Sequence, residues 1–423
     1  MFNFNLLSRH MTLNSNLFLS RSNSIIVLGL VLVLNAVNVF SIGQLSGNSI
    51  RLPFKYVQSF IIVELKLENV IPVNLIFDTG AEHTILFEKK WTDLFPNVYQ
   101  REIKVIGSDL QQEIPAFVTS PLGLSFGDQY TINTPLIILK EKINDISQVI
   151  GEPVHGILSA ALFNSFQIEI NFKRRFIMLH PNSKKISNSF AVVPIQIYKN
   201  KPYLSTRINV SDTSSKVFNL LLDTGASLSL MLYTDTTGKL QLPDRMIPGY
   251  LGSGLGGVLN GYVGKINRLQ FDTFDMQQVI THFLRIQTSI GRAESQSKSG
   301  LIGNHILDKF QIIFDYSKEK VYLKPNKTYS KKVDYDKSGM IVITGGIELK
   351  SFYIAHVLPG TPAANAGLKE NDQILKINSW PISFYSLSKI NNLLQQKSGK
   401  KIKLLVRRNT QKLKFEFFLE PLI

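Results

Sequence analysis

One short stretch that occurs twice constrains the fold of this chain more than any other feature. Asn74 to Ala81 reads Asn-Leu-Ile-Phe-Asp-Thr-Gly-Ala, and 145 residues later Asn219 to Ala226 reads Asn-Leu-Leu-Leu-Asp-Thr-Gly-Ala. In each copy the apolar run predicts a buried strand, and Asp before Gly predicts a tight turn at its end. The chain therefore carries an aspartate at the end of each of two equivalent strands.

The similarity between the two copies extends well beyond this stretch. At the same offset Gly107-Ser108 matches Gly252-Ser253, and the register holds without a gap from residue 74 to residue 126. After one deletion the offset is 144, and Gly156-Ile-Leu-Ser159 then matches Gly300-Leu-Ile-Gly303. The pattern indicates an internal duplication of about 140 residues.

Composition excludes several kinds of site. The 423 residues are 44% hydrophobic and 18% charged, which is typical of globular proteins. Cysteine is absent, so disulfides, thiolate metal sites and a cysteine nucleophile are excluded. The net charge is +16, but half of the excess lies beyond residue 330, where 15 basic residues face 7 acidic ones. No nucleic-acid motif accompanies it, so we predict a solvated surface and no nucleic-acid partner.

The N-terminal residues are typical of an export signal. Arg9 and Arg21 precede the apolar run Ile25 to Leu34, and Ser41 and Gly43 offer a cleavage site. This predicts a signal peptide over residues 1–43. The run is short for a membrane span of about 20 residues, which favours a cleaved signal over a signal anchor. We expect an exported protein, periplasmic, secreted or anchored outside the cytoplasm, with membrane contact only through this segment if it stays uncleaved.

A glycine-rich stretch in the second copy, Gly252-Ser-Gly-Leu-Gly-Gly257, matches the G-x-G-x-x-G pattern of dinucleotide sites. The surrounding sequence lacks the βαβ pattern that such sites require. The repeat register places the stretch opposite Gly107 to Glu113, after each Asp-Thr-Gly. The sequence therefore favours a mobile hairpin over a phosphate-binding loop.

The C-terminal stretch differs in character from the two copies. Thr361 is placed to cap a helix that begins at Pro362, and Gly367 ends this helix after one turn. Asp372 then leads into a predicted strand. A short helix between strands predicts a separate small domain at the end of the chain.

The run from Gly360 to Asn378 resembles the signature of PDZ domains of the bacterial type, departing from it at Thr361 and Asn371. The resemblance covers residues 335–423 and implies a small α+β domain that binds C-terminal or internal peptides as an added strand. The residues implied to bind the peptide are Ser338, Gly339 and Met340, with a helix at residues 383–396 as the opposite wall. A domain that acts only as a spacer stays open, because fold does not determine function.

The duplicated part resembles the aspartic peptidases, in particular the retropepsin-like branch. The resemblance rests on the two Asp-Thr-Gly-Ala motifs and on the matching elements at 156–159 and 300–303. It implies a mainly β, two-lobed acid-protease β-barrel fold, with lobe 1 at residues 50–185 and lobe 2 at residues 190–328. Both lobes lie in one chain, so the two aspartates are expected to meet at an intramolecular pseudo-two-fold axis.

The same resemblance implies roles for individual residues. The implied catalytic residues are Asp78 and Asp223. The active-site loops would be supported by Thr79, Gly80, Thr224 and Gly225. The hairpin would be a flap over the substrate, formed around Gly252, Gly254, Gly256 and Gly257. The first copy has only Gly107 in the matching hairpin, so we expect one dominant flap.

Paired aspartates suit peptide hydrolysis for a chemical reason. Two carboxyls close together share one proton, so one can act as the base toward a water and the other as the acid. We therefore expect an aspartic endopeptidase that acts on extended polypeptides without a metal or a cofactor.

Some residues depart from the family pattern. Glu82 and Ser159 replace its usual residues, and Ala81 and Ala226 lack a hydroxyl that would bond the carboxylates. We expect the optimum to lie at mildly acidic to neutral pH. His83 is expected to be an exposed loop residue.

Two other functions are compatible with parts of the sequence. The first is a catalytically inactive peptide-binding protein built on the same lobes and PDZ domain, although both Asp-Thr-Gly triplets are intact. The second is an exported serine protease with a PDZ domain. It is disfavoured because the Gly-x-Ser-x-Gly match at Gly123 to Gly127 lies in predicted strand-and-turn sequence, and no supporting His and Asp order accompanies it.

Overall fold

Alternating apolar and polar residues build the first strands of the structure. In the strand Phe60–Leu67 every second side chain from Val63 onward is buried, and Glu64 is exposed. Side chains alternate between the two faces of a strand, so one face packs on the core and the other meets solvent. In the strand Ile71–Asp78 the three residues before Asp78 are all buried, because this strand is covered on both faces.

The computed structural model describes residues 49–107, 112–127, 130–141, 146–182, 184–211, 214–234, 242–255, 257–286 and 299–423. The predicted signal peptide at residues 1–43 lies outside the described residues. In the described ranges no helix is both long enough and apolar enough to cross a membrane.

The first lobe contains strands β1 to β12 and the short helix α1, with 3₁₀ turns at Lys89–Trp91 and Ala160–Phe163. Their bounds are β1 Ile50–Val57, β2 Phe60–Leu67, β3 Ile71–Asp78, β4 Ile85–Leu86, β5 Tyr99–Ile106, β6 Glu113–Thr119, β7 Leu122–Phe126, β8 Tyr130–Thr134, β9 Ile137–Leu139, α1 Ile146–Ile150, β10 Gly156–Ser159, β11 Phe166–Asn171 and β12 Phe176–Pro181.

The second lobe repeats the order of the first. Its elements are β13 Ala191–Pro194, β14 Gln196–Tyr198, β15 Lys201–Asn209, β16 Ser215–Leu222, β17 Leu230–Thr234, β18 Met246–Gly254, β19 Gly257–Phe271, β20 Phe274–Arg285, β21 Gly300–Ile302, helix α2 Asn304–Leu307, β22 Phe310–Asp315 and β23 Lys320–Pro325.

The two lobes share one sheet rather than merely touching. Strand β11 of lobe 1 pairs antiparallel with β22 of lobe 2, so that Ile168 lies opposite Phe314. Buried residues of both lobes, such as Phe166 and Phe310, belong to one continuous hydrophobic cluster. Backbone hydrogen bonds and a common core therefore hold the lobes in one arrangement.

The C-terminal domain has its own sheet and its own core. Its elements are β24 Met340–Gly345, β25 Ser351–Val357, helix α3 Pro362–Asn365, β26 Gln373–Ile377, β27 Trp380–Pro381, a 3₁₀ turn Ile382–Phe384, helix α4 Leu387–Leu394, β28 Lys401–Arg408 and β29 Gln411–Phe418. Strand β24 stands at one end of the sheet order, next to β25. A separate hydrophobic cluster includes Ile354, Ile390 and Ile402.

The predicted fold class, mainly β with two lobes followed by a small α+β domain, is confirmed. The first helix of the C-terminal domain begins at Pro362 and is preceded by Thr361, as predicted. The Thr361 side chain nevertheless makes no capping bond, because its hydroxyl donates to the Leu358 carbonyl at 2.6 Å instead. The wall helix begins later than predicted, at Leu387, where Ser386 accepts a hydrogen bond from the Lys389 amide. The domain boundaries themselves stay predictions.

Candidate active site

Equivalent strands deliver the two aspartates to the junction of the lobes. In lobe 1, β3 ends at Asp78 and runs parallel to β10, with Ser159 opposite Asp78. In lobe 2, β16 runs parallel to β21, and the Asp223 amide donates to the Ile302 carbonyl at 2.9 Å. In both lobes, therefore, the strand before Asp-Thr-Gly runs beside the strand of the second repeated element.

The threonine of each Asp-Thr-Gly reaches into the opposite lobe. The Thr79 hydroxyl donates to the Leu222 carbonyl at 2.6 Å and accepts from the Thr224 amide at 3.0 Å. The Thr224 hydroxyl donates to the Phe77 carbonyl at 2.9 Å and accepts from the Thr79 amide at 3.0 Å. Both threonines are buried. These four reciprocal bonds fix the two loops against each other, since buried polar groups are costly to leave unpaired.

The two carboxyl groups lie beside each other, each next to the glycine of the opposite motif, so they can share one proton. The Gly80 amide donates to Asp78 Oδ1 at 2.5 Å, and the Gly225 amide donates to Asp223 Oδ1 at 2.8 Å. A Cβ atom at Gly80 would lie 2.9 Å from Asp223 Cγ, and one at Gly225 would overlap the Asp78 carboxyl group. Glycine is therefore required at both positions because the opposite carboxyl group approaches the backbone.

The site favours a protonated pair. Burial raises the pKa of Asp78, and burial together with the charge of Asp78 raises the pKa of Asp223 well above its ordinary value. Two adjacent carboxyl groups cannot both ionise without strong repulsion. The pair therefore keeps one proton over a pH range in which an isolated aspartate is ionised.

One cation lies close enough to act on both aspartates. The charge of Lys201, at the start of β15 in lobe 2, lowers the pKa of Asp78 and of Asp223. Its ammonium group forms an ion pair with Glu82 of lobe 1 at 3.1 Å, and the Lys201 side chain is only 16% exposed. Sequence reasoning noted Glu82 as a departure but missed Lys201, because no motif surrounds that lysine.

The irregular position Ser159 has a structural explanation. At the matching position of lobe 2, a Cβ atom on Gly303 would lie 2.5 Å from the Leu228 carbonyl oxygen and 2.6 Å from that of Ala226. In lobe 1 the Ser159 hydroxyl instead donates to the Ala81 carbonyl at 2.6 Å. The Ala81 carbonyl of lobe 1 is equivalent to the Ala226 carbonyl of lobe 2. The first accepts a hydrogen bond from Ser159, whereas the second lies too close to Gly303 for any side chain there.

The predicted flap glycines lie in the hairpin of β18 and β19. Gly252 pairs with Leu259, and Gly254 with Gly257 at the closed end, after a bulge that follows Tyr250. Gly256 lies outside the described residues. The matching hairpin of lobe 1, β5 and β6, has shorter strands. Leu255 packs against an apolar cluster of lobe 1, so the hairpin end lies on the opposite lobe. One dominant flap stays a prediction.

The predicted peptide-binding loop of the C-terminal domain makes internal bonds. The amides of Ser338 and Gly339 donate to the Asp336 carboxylate at 3.0 and 2.6 Å, and the Met340 amide donates to Ser338 Oγ at 3.1 Å. Burial raises the pKa of Asp336 to about 6. Peptide binding by these three residues stays a prediction, and their amides already have acceptors within the domain.

Two further observations bear on chemistry at the site. His83 is exposed, as predicted. Within the described part of the chain, no group of three or more histidine, cysteine, aspartate or glutamate residues could hold a metal ion.

Comparison with known proteins identifies one domain directly. Residues 353–408 match the PDZ domain family model. A stretch of 70 residues is 37% identical to the probable protease eep of Enterococcus faecalis. That stretch is 16% of this chain and 16% of that protein, so the chain spans a small part of this relative's length. The crystal structure of aspartic proteinase from Irpex lacteus covers 67% of this chain and 99% of its own, with a TM-score of 0.42 and 11% identity.

Proposed function

We propose that this protein is an aspartic endopeptidase that hydrolyses peptide bonds with a water molecule activated between Asp78 and Asp223. The observation that carries the proposal is the half-buried pair of carboxyl groups, each beside the glycine of the opposite motif and held by the reciprocal threonine bonds between the lobes. Buried carboxyl pairs with raised pKa values are typical of acid–base sites.

The chemistry uses only the protein's own groups and one water. The ionised carboxylate takes a proton from the water as it attacks the peptide carbonyl, and the protonated carboxyl group donates to the carbonyl oxygen. The tetrahedral intermediate then collapses as a proton passes to the leaving nitrogen. The hairpin of β18 and β19 would cover an extended substrate and exclude bulk water.

The proposed role of the PDZ domain is to bind partner or substrate peptides beside the protease lobes. PDZ domains bind extended peptides by adding them as a strand to the edge of the sheet. We also propose that the protein is exported by its N-terminal segment and acts outside the cytoplasm.

Cleavage of a denatured protein mixture between pH 3 and 8 tests the proposal. We expect cleavage that is blocked by a statine-type transition-state mimic, because such a compound replaces the attacked carbonyl and the water with a tetrahedral hydroxyl. Cleavage that persists in the presence of this inhibitor, but stops with a serine-directed reagent, would contradict the proposal. Complete lack of cleavage at every pH would favour the peptide-binding alternative.

The ion pair of Lys201 and Glu82 predicts opposite shifts in the pH profile. The positive charge of Lys201 lowers the pKa of both aspartates, so Lys201→Met should raise these pKa values and move the loss of activity at high pH to higher pH. Glu82→Gln leaves the lysine charge without its counter-ion and should move the profile the other way. The measurement is kcat/KM against pH for both variants.

Lys320→Met is the matched control for this experiment. Lys320 is an exposed lysine in β23, and its loss removes the same formal charge. Its profile should follow that of the wild type. Equal shifts for Lys201→Met and Lys320→Met would show that net charge, rather than the ion pair at the active site, sets the profile.

A further inference from the structure

The groove between strand β24 and helix α4 of the PDZ domain holds a segment of lobe 1. The Thr344 hydroxyl in β24 donates to the Gln148 carbonyl in helix α1 at 2.9 Å. A Cβ atom on Gly151 would lie 3.3 Å from Leu387 Cβ in α4 and 3.5 Å from Thr344 Cγ2. Gly151 therefore sits between the strand and the helix that form the walls of the groove. Residues 146–151 are called the resident segment below.

The resident segment is anchored in lobe 1. Ile150 is fully buried and belongs to the same apolar cluster as Ile76 of β3 and Ile85 of β4. The strand β3 is the one that ends at Asp78. Removing the segment from lobe 1 would expose this cluster, so a competitor for the groove has to separate the PDZ domain from the segment instead.

A second contact joins helix α4 to the turn between β1 and β2. The Asn391 side-chain Nδ2 donates to Gln58 Oε1 at 3.1 Å, and Gln58 Nε2 donates to Ser388 Oγ at 3.3 Å. Gln58 and Ser59 have φ angles of 48° and 61°, in the left-handed region that defines this tight turn. Helix α4 therefore bonds the side chain of Gln58, and the backbone of Gln58 is constrained by the tight turn.

The same turn supports the loop that carries Asp223. The Ser227 hydroxyl donates to the Gln58 carbonyl. The Asn304 side-chain Nδ2 donates both to the Ser59 carbonyl and to the Thr224 carbonyl, at 2.7 Å each. Two residues of one turn thus connect the PDZ helix with the active-site loop of lobe 2.

We propose that this groove is a regulatory site for extended peptides, that residues 146–151 occupy it at rest, and that a peptide which displaces them lowers the cleavage rate. The proposal rests on the proposed peptidase function. Displacement removes the PDZ helix from Gln58, and the turn that supports the Asp223 loop then loses its outer contact. A misplacement of about 1 Å at a catalytic group can cost 10²-fold in rate.

The groove fits an internal peptide segment better than a free C-terminus. The Asp336 carboxylate already accepts from the amides of Ser338 and Gly339, so these donors are not open to a terminal carboxylate. Among the described strands, β24 pairs only with β25, which leaves its other edge for an added strand. The resident segment is helix α1 with the glycine that follows it, so it fills the groove without pairing with β24. The expected partner is therefore an internal stretch of an extended polypeptide.

Competition between the resident segment and a peptide has a measurable consequence. A peptide binds only the undocked form, so its apparent affinity is reduced by the fraction of molecules that are undocked. Weakening the contacts between helix α4 and Gln58 should therefore strengthen peptide binding, although these contacts do not involve the peptide. Coupling of this kind is reciprocal, so the same change should also weaken the support of the active-site loop.

The first experiment measures binding of a fluorescent peptide with the sequence of residues 146–154 to the full-length protein by anisotropy. The variant Ser388→Ala with Asn391→Ala loses both hydrogen bonds to Gln58, and we expect it to bind the peptide about tenfold more tightly than the wild type. Asn392→Ala, at the next and exposed position of the helix, is the control and should bind as the wild type does. Equal binding by the double variant and this control would overturn the proposal.

The second experiment locks the domain in place. The chain has no cysteine, so Gly151→Cys with Thr344→Cys provides the only two thiols. The Cβ position at 151 lies 3.5 Å from the γ carbon of Thr344, whose place a cysteine sulfur would take. The φ of Gly151 is 80°, so a side chain there strains the backbone, and the reduced protein is the control for this strain. We expect the oxidised protein to lose peptide binding and the reduced protein to regain it. Undiminished peptide binding by the oxidised, crosslinked protein would contradict the proposal.

Cleavage assays complete the test. The peptide should lower the cleavage rate of the wild type and leave the rate of the crosslinked protein unchanged. Inhibition of the crosslinked protein to the same extent would mean that the peptide acts at the active site, which would overturn the regulatory role. The anisotropy experiments need no catalysis, so they decide the occupancy of the groove even if the protein does not cleave.

Discussion

Replacing either Asp78 or Asp223 by asparagine should reduce cleavage by about 10²- to 10⁴-fold, the range that general acid–base catalysis contributes. The two carboxyl groups share one proton and act as a unit, so each single replacement should cost nearly as much as the double replacement. The measurement is kcat/KM for cleavage of a peptide substrate at the pH optimum of the wild type. Activity that survives either replacement would indicate pairing of like repeats between two molecules, or a different site.

One control variant and one stability measurement show that the lost activity reflects the chemistry of the carboxyl groups rather than unfolding. Asp272→Asn changes an exposed turn residue with a φ of 49°, which asparagine tolerates, and should leave the rate unchanged. The stability measurement compares the unfolding temperatures of the wild type and Asp223→Asn at a series of pH values. The folded wild type holds the proton of Asp223 at pH values where the unfolded chain has lost it, so its stability falls as pH rises through that range. Asp223→Asn should therefore gain stability relative to the wild type as the pH rises above about 4, the ordinary pKa of an aspartate.

Gly225→Ala should reduce cleavage by about 10²-fold or more, because the added methyl group would overlap the Asp78 carboxyl group and push it from its position. Gly80→Ala should have a smaller effect, since its methyl group would lie 2.9 Å from Asp223 Cγ. The order of the two effects is the test, because both changes add one methyl group to equivalent turns. The measurement is kcat at saturating substrate, together with the unfolding temperature of each variant.

Gly123→Ala is the control for these two variants. The nearest atoms to its added carbon are the side-chain atoms Asn133 Oδ1, at 3.2 Å, Glu68 Oε1 and Thr131 Cγ2. These side chains can shift, so activity should stay close to that of the wild type. Wild-type activity in Gly225→Ala would show that the two carboxyl groups are not required to lie this close together.

The sequence predicted that the two Asp-Thr-Gly loops meet, because the duplication places the same strand and turn at two equivalent positions. A strand followed by Asp-Thr-Gly at two matched positions leaves little choice of geometry, and the structure brings Asp78 and Asp223 into contact. The PDZ-like stretch was equally informative, because Pro362 and Gly367 mark the two ends of a short helix. Local signals of this kind depend on backbone geometry, which residues such as Gly and Pro constrain directly.

Contacts between distant parts of the chain could not be predicted in the same way. Lys201 acts on the aspartates through space, and its partner Glu82 lies 119 residues earlier (201 − 82). The contact of Gln58 with Asn391 joins residues 333 positions apart. Both interactions depend on how whole domains pack, and neither residue lies in a motif. The compensation by Ser159 is similar, because it follows from the position of one backbone carbonyl in lobe 1.

The sheet shared by the two lobes determines when the site can exist during synthesis. Strand β22 pairs with β11, and Thr79 depends for its partners on Leu222 and Thr224. A growing chain that ends before Asp223 has a single Asp-Thr-Gly loop and no opposite carboxyl group, and one that ends before β22 and β23 still lacks the strand pairing that joins the lobes. The proposed hydrolytic capacity would consequently arise only when the second half of the chain folds onto the first.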